Sequence, residues 1–184
     1  MHVFARVASW LFGISLVALS FFVAAETVSR KLFNFSFEGA DELGGYVLAI
    51  GSSLAFTVAL VERAHVRIDF VHGRLPLKAR AVLDWLAVLS LAAFGGFLVY
   101  VGYAVIVDTI TYGSVAPTPW ATPMIYPQAG WYAGYVLFAV VAVGYALYAT
   151  WLLVRGRFSD ISAAFDPKGA EEELREELEE VEAR

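Results

Sequence analysis

Four long apolar runs alternate with short polar stretches along this chain. The first, Val7 to Ala25, is nineteen residues without a charge. At roughly 1.5 Å per residue a helix over it is about 28 Å long, enough to cross the hydrocarbon core of a bilayer. The others are Leu43 to Val61, Trp85 to Val107 and Ala129 to Val154. The first run ends in Val23-Ala24-Ala25, a sequence that a leader peptidase could cut. A leader's apolar region spans only about 7–15 residues, however, so this run reads as a retained span. The pattern predicts an all-α integral membrane fold of four transmembrane helices, at about 7–25, 43–61, 85–107 and 129–154.

The polar stretches carry their own signals. Glu26 and Arg30 stand at i,i+4, with the acid first, the favourable order on a helix. From Lys31 to Phe37 apolar and polar residues alternate, which predicts an interfacial helix between spans one and two. Glu38, Asp41 and Glu42 precede the second run and suit a helix N-terminus. Thr109 to Gln128 holds four of the six prolines and no Lys or Arg. It should be an extended, rigid connector with Trp120 and Tyr126 at the membrane surface. Asp166-Pro167-Lys168-Gly169 breaks the chain before a tail in which Leu174, Leu178 and Val181 fall at helical spacing. The expected organisation is a four-span domain over 1–158 and a charged cytoplasmic tail over 159–184, ending in a solvated acidic helix.

Charge fixes the orientation. The segment from Glu62 to Pro76, with Lys78 and Arg80, holds five of the thirteen Lys/Arg and two of the three His. Counted with Arg6, Arg155, Arg157 and Lys168, nine cations fall on one side of the membrane and two, Arg30 and Lys31, on the other. Cytoplasmic loops carry the excess of Lys and Arg, so both termini are expected in the cytoplasm.

Composition agrees with lipid as the solvent. The chain is 59% hydrophobic with a mean hydropathy of +0.65, more than a soluble domain of 184 residues can bury. It has no cysteine, hence no disulfide, thiolate nucleophile or Cys-ligated metal. The net charge of −5 reports the tail, where Glu171 to Arg184 contains eight Glu and two Arg. No basic face with interleaved aromatics points to nucleic acid. The apolar runs contain no Asp, Glu, Lys, Arg or His, whereas a pump or carrier keeps an ionisable group within a span. No haem ligand lies in a span, and no phosphate-loop, zinc-protease or nucleophile-elbow motif occurs. No cofactor, metal or catalytic residue is expected, and a helper subunit of a larger assembly is the leading class. Small residues recur at helix-packing spacing in Gly45, Ala49 and Ser53, in Ala92 and Gly96, and in Gly130 and Gly134. These faces either close the chain's own bundle or receive a partner.

One motif remains. Arg63-x-His65-Val66-x-Ile68-Asp69 follows span two, with Leu75-Pro76 and Arg80 soon after. Arg63 and Arg67 stand at i,i+4 and suit anionic headgroups; Asp69 suits a basic partner or the next helix start. This element resembles the small membrane (Q) subunit of tripartite ATP-independent periplasmic (TRAP) transporters. So does the order of features around it: an Arg closing span one (Arg30), an acidic pair opening span two (Asp41-Glu42), and a proline-bearing loop with Ser114 upstream of the last span. The chain departs from the usual form in a shorter Arg63–His65 spacing, in Gly39-Ala40 where a Trp commonly stands, and in its acidic tail.

The resemblance covers about residues 7 to 155. It implies a non-catalytic subunit of the cell inner membrane that scaffolds a large polytopic membrane subunit. A periplasmic substrate-binding protein would deliver an organic acid or similar solute for sodium-driven uptake. Glu26, Arg30, Asp41, Glu42, Arg63, His65, Arg67 and Asp69 are then the candidates for partner contact, lipid contact or structural polar roles. Glu26, Glu38, Asp41 and Glu42 would meet a basic patch on the binding protein. The alternative is a stand-alone, homo-oligomeric small transporter or channel.

Overall fold

The computed structural model describes residues 2–63 and 75–165. They form helices α1 (His2–Phe33), α2 (Ala40–Val61), α3 (Leu77–Tyr112), α4 (Ile125–Val154) and α5 (Phe158–Phe165). Helices α1 to α4 are each long and apolar enough to cross a membrane. The four expected spans are therefore present, and the helices overrun the apolar runs at most of their ends. Helix α3 has 36 residues, about 54 Å of helix against a hydrocarbon core of roughly 30 Å. A helix satisfies its own backbone wherever it goes, so it has no reason to stop where the charges begin.

One expectation fails. No separate interfacial helix lies between spans one and two: α1 continues unbroken through Phe33, and residues 34–39 are non-helical. Asn34 takes the left-handed conformation (φ 51°) that ends α1, one that Asn tolerates better than most residues. The alternating Phe residues fold back on the helix. Phe37 packs against Phe22 and Phe35, with ring centroids 5.7 and 5.3 Å apart. Alternation here marks a loop laid along a helix end.

Helix α4 is the centre of the bundle, packing on α3 and on α2; α1 packs on the flank of α2. The α3–α4 seam is built from Ala81, Ala92, Ala139, Ala142, Ala146 and Ala149, all buried. Small side chains let the backbones approach, which is the main source of attraction between helices in lipid. Gly134 faces Ser53 of α2 so closely that a Cβ there would overlap it, and a Cβ on Gly95 would stand 3.0 Å from the Ala139 Cα. The Gly130/Gly134 face thus packs internally, on Ile50 and Ser53, while Gly45 and Gly96 face open space.

Helix α5 is an element that hydropathy missed. Gly156, at φ 69°, turns the chain after α4, and α5 folds back beneath α3 and α4. Ile161 and Phe165 join the core with Ala81 and Leu152, and Phe165 meets Tyr145 and Tyr148 edge-on. The acidic helix expected in the tail lies outside the described residues. Exchanging Gly134 for Leu should lower the thermal midpoint of the purified subunit, at a cost of about 1–3 kcal/mol from overpacking. The same exchange at open Gly96 should leave it unchanged. Thermal unfolding in one detergent, followed by size-exclusion recovery, compares the two.

Candidate functional site

The polar groups collect at the two ends of the bundle. At one end stand the segment 34–39 and the loop 113–124; at the other, the start of α1, the end of α2, the start of α3 and helix α5.

At the first end two buried carboxylates hold the two loops. Glu26 of α1 is 2% exposed. Its Oε1 accepts from Arg30 Nη2 at 2.7 Å and from Ser36 Oγ at 2.5 Å, and its Oε2 accepts from the Phe37 backbone N–H at 2.7 Å. Glu42, in the first turn of α2, is 6% exposed. It accepts from Tyr46 Oη at 2.8 Å and from Thr118 Oγ1 across the bundle. The Arg30 and Phe37 N–H groups can only donate and take one Glu26 oxygen each, an arrangement that suits an anion, and the hydroxyls of Tyr46 and Thr118 are placed to donate to Glu42.

Trp120 joins the loops. Its Nε1 donates to the Phe37 carbonyl at 3.0 Å, and its ring covers Gly39, where any Cβ would overlap it. The loop 113–124 is closed on itself by Ala116 N–H to Thr122 O at 2.9 Å and Met124 N–H to Ser114 O at 3.0 Å. Gly113 (φ 59°) caps α3 by donating to Thr109 O, and Pro127 sits in the first turn of α4, where no N–H is needed. The proline-rich segment is thus a compact loop with one antiparallel bridge, Val115 to Pro123. Trp120 and Tyr126 are exposed.

This geometry redistributes the sequence candidates. Glu26 and Glu42 face inward and spend their acceptors on the protein's own loops. Glu38 and Asp41 remain exposed. Glu38 is presented at φ 59°, its N–H bonded to Ser36 Oγ at 3.1 Å. Arg30 pairs with Glu26 while its own side chain stays 63% exposed. The acidic residues were legible in the sequence. Ser36 and Thr118 as their partners were not, because a hydroxyl 76 residues from its carboxylate leaves no periodic trace.

At the second end Arg63 stands just past α2 in the left-handed region (φ 57°) and donates from Nη1 to the Ala163 carbonyl at 3.2 Å. This bond ties the end of α2 to α5. His65, Arg67 and Asp69 lie outside the described residues. Asp84, near the start of α3, is fully buried, and beside it Trp85 Nε1 donates to Thr150 Oγ1 at 2.8 Å. Arg155 lies 4.1 Å from the Trp151 ring centroid, and Arg157 pairs with Asp160. Among the described residues no three His, Asp or Glu are grouped so as to hold a metal ion.

Four membrane-crossing helices whose apolar runs carry no charge are what a helper subunit needs. The comparison with known families decides which one. The family described as tripartite ATP-independent periplasmic transporters, DctQ component, matches residues 19–153. The chain belongs to this family. It is a small membrane subunit of a TRAP transporter and a multi-pass protein of the inner membrane. No curated protein matches it individually. The DctQ match takes in the later part of α1 and all of α2, α3 and the connecting loops. It stops one residue short of the end of α4 and leaves α5 outside.

The linked loops should behave as one unit. Trp120→Ala removes one hydrogen bond, worth about 1 kcal/mol, together with the cover over Gly39. Limited proteolysis should then cut both 34–39 and 113–124 faster than in the parent. Glu26→Ala should expose the first segment more than the second, and Asp41→Asn should change neither.

Proposed function

We propose that this DctQ-family subunit enlarges and anchors the static part of a TRAP transporter, beside a large polytopic subunit that carries the substrate. A periplasmic substrate-binding protein delivers the solute, an organic acid or a similar compound, and a sodium gradient drives uptake. The observation that carries the reading is the family match across four spans whose apolar runs hold no ionisable residue. Such a chain has nothing to relay an ion with and much to pack with.

The termini face the cytoplasm in this reading, and the linked loops face the periplasm. Support comes from the nine-to-two split of Lys and Arg. The periplasmic end then offers Glu38 and Asp41, with the edge of Trp120, to a basic patch on the binding protein. Arg63, His65, Arg67 and Asp69 belong to the cytoplasmic end, where inner-leaflet headgroups and the large subunit are within their reach.

A tagged chain, taken from its own membrane in mild detergent, should bring down a many-span protein in a fixed ratio, identified by mass spectrometry. A clean homo-oligomer that survives cross-linking would end this reading in favour of the stand-alone channel or transporter. The absence of native cysteine makes topology directly measurable. An impermeant maleimide applied to spheroplasts should label Val115→Cys, but Ser159→Cys only after lysis, and the reverse would refute the topology. Reversing Glu38 and Asp41 to Lys should lower uptake several-fold with the yield of complex unchanged. Unchanged uptake would remove these two residues from the docking surface.

A further inference from the structure

Three aromatic rings and one guanidinium form a ladder at the basic end of α4. Phe165 of α5 meets Tyr148 edge-on, with ring centroids 6.3 Å apart. Tyr148 stacks on Trp151, 6.1 Å away and tilted by only 19°. The Arg155 guanidinium then lies over the Trp151 ring, 4.1 Å from its centroid. Tyr148, Trp151 and Arg155 fall at i, i+3 and i+7, so they share one face of the helix. Phe165 belongs to the buried core, whereas the three α4 residues are exposed. The ladder is fixed at its foot by α5 and open at its head.

The head carries the chemistry. A guanidinium held by its face keeps its N–H donors in its own plane, directed past the ring. Among the described residues no oxygen accepts from the Arg155 guanidinium, and Asp160, five residues on, is taken by Arg157. The depth of the group is set by α4. The run from Ala129 to Val154 is 26 residues without a charge, about 39 Å of helix against roughly 30 Å of hydrocarbon. Arg155 is the first charge after that run, so it reaches the level of the lipid phosphates. Leu147 and Val154, both exposed, flank Trp151 with apolar surface. Phosphate oxygens match the planar fork of a guanidinium, and a fork already oriented by stacking loses little freedom on binding.

We propose that the Tyr148–Trp151–Arg155 ladder is a binding site for an anionic phospholipid. The phosphate accepts from the free edge of the Arg155 guanidinium, and the glycerol and first acyl carbons lie along Trp151 and Leu147. A protein partner covering this face would have to bring an acceptor to the same depth, whereas the bilayer supplies one in every lipid. With Asp160 committed to Arg157, a headgroup amine finds no carboxylate beside the ladder among the described residues. A glycerol headgroup therefore suits the site better than choline or ethanolamine. Helix α5, outside the family match, acts here through Phe165, which holds Tyr148 and through it the angle of Trp151. The site depends on the bilayer alone, not on the topology or the scaffold role proposed above.

The test uses the full chain, with any large subunit that accompanies it, delipidated in mild detergent. It is offered phosphatidylglycerol and phosphatidylcholine in equal amounts, and native mass spectrometry reads which is bound. Phosphatidylglycerol should be preferred. Arg155→Gln should lower the preference about fivefold, the scale of one cation at an anionic surface. Trp151→Leu keeps the charge but releases the guanidinium, and should lower it by a similar factor. Arg6→Gln, at an exposed arginine stacked on no described ring, should leave it unchanged. All three substituted side chains are exposed, so the core stays intact. A photoactivatable side chain in place of Val154 should capture lipid in intact membranes. The proposal is overturned by a parent chain without the preference or by a Trp151→Leu chain that keeps it in full. An equal loss in Arg6→Gln, which would reduce the effect to general charge, overturns it too, as does capture of a protein segment at Val154.

Discussion

The carboxylate of Glu26 sets the shape of the loop end of the molecule. A buried anion at a membrane boundary must find donors, because leaving it unpaired costs far more than any local backbone preference. Its donors are Arg30 one turn on, Ser36, and the Phe37 backbone beyond the helix end. Meeting them forces the chain to double back within a few residues of Phe33. The doubled segment places the Phe37 carbonyl for Trp120 and clears Gly39 for its ring. The loop 113–124 is thereby fixed from one side, and Glu42 fixes it from the other through Thr118. Two single charges account for the order of two loops that are far apart in sequence.

What the sequence made legible follows from the range of each signal. The four spans could be read because a bilayer imposes a length and a polarity on every crossing segment. The Glu26–Arg30 pair could be read because i,i+4 is a local rule. Helix ends could not. Lys78 to Asp84 and Asp108 to Tyr112 continue α3 past the apolar run, since a helix carries its own hydrogen bonds into the interface. The Lys31–Phe37 alternation misled for a related reason: a period of two describes any segment with one face on a surface, including a loop folded on its own helix. Helix α5 was hidden by Arg157 and Asp160, although its buried face needs only Ile161, Ser162 and Phe165. Small-residue spacing found Gly130 and Gly134 but named Gly96 where Gly95 makes the close approach. Which side of a helix meets a neighbour is a tertiary fact, and a stripe of small residues narrows it only to about one turn.

The arrangement of the spans bears on the scaffold role. With α4 central, α2 and α3 on either side and α1 outermost, the chain is a broad sheet of helices more than a closed four-helix bundle. Such a shape leaves wide apolar faces on both sides. In water these would force association, but in a bilayer lipid covers them at little cost, so exposure alone picks no partner face. Selection must come from features that lipid satisfies poorly, namely polar groups at fixed depth and shape. The two ends of this molecule hold nearly all of its polar groups. A partner that recognises it therefore gains most at the ends, while the apolar middle sets only the depth.

The boundary of the family match sharpens this at the basic end. The DctQ match stops at residue 153, before the Gly156 turn, and α5 lies outside it. Yet α5 is no loose appendage, because Ile161 is fully buried and the Arg63 guanidinium donates to its Ala163 carbonyl. Arg63 is also the first residue of the basic element that carries the family resemblance. It adopts a backbone conformation that costs a non-glycine residue about 1 kcal/mol or more, and a hydrogen bond from a charged donor to Ala163 is of the size that offsets such a cost. Arg63 thus ties the end of α2 to an element outside the matched region.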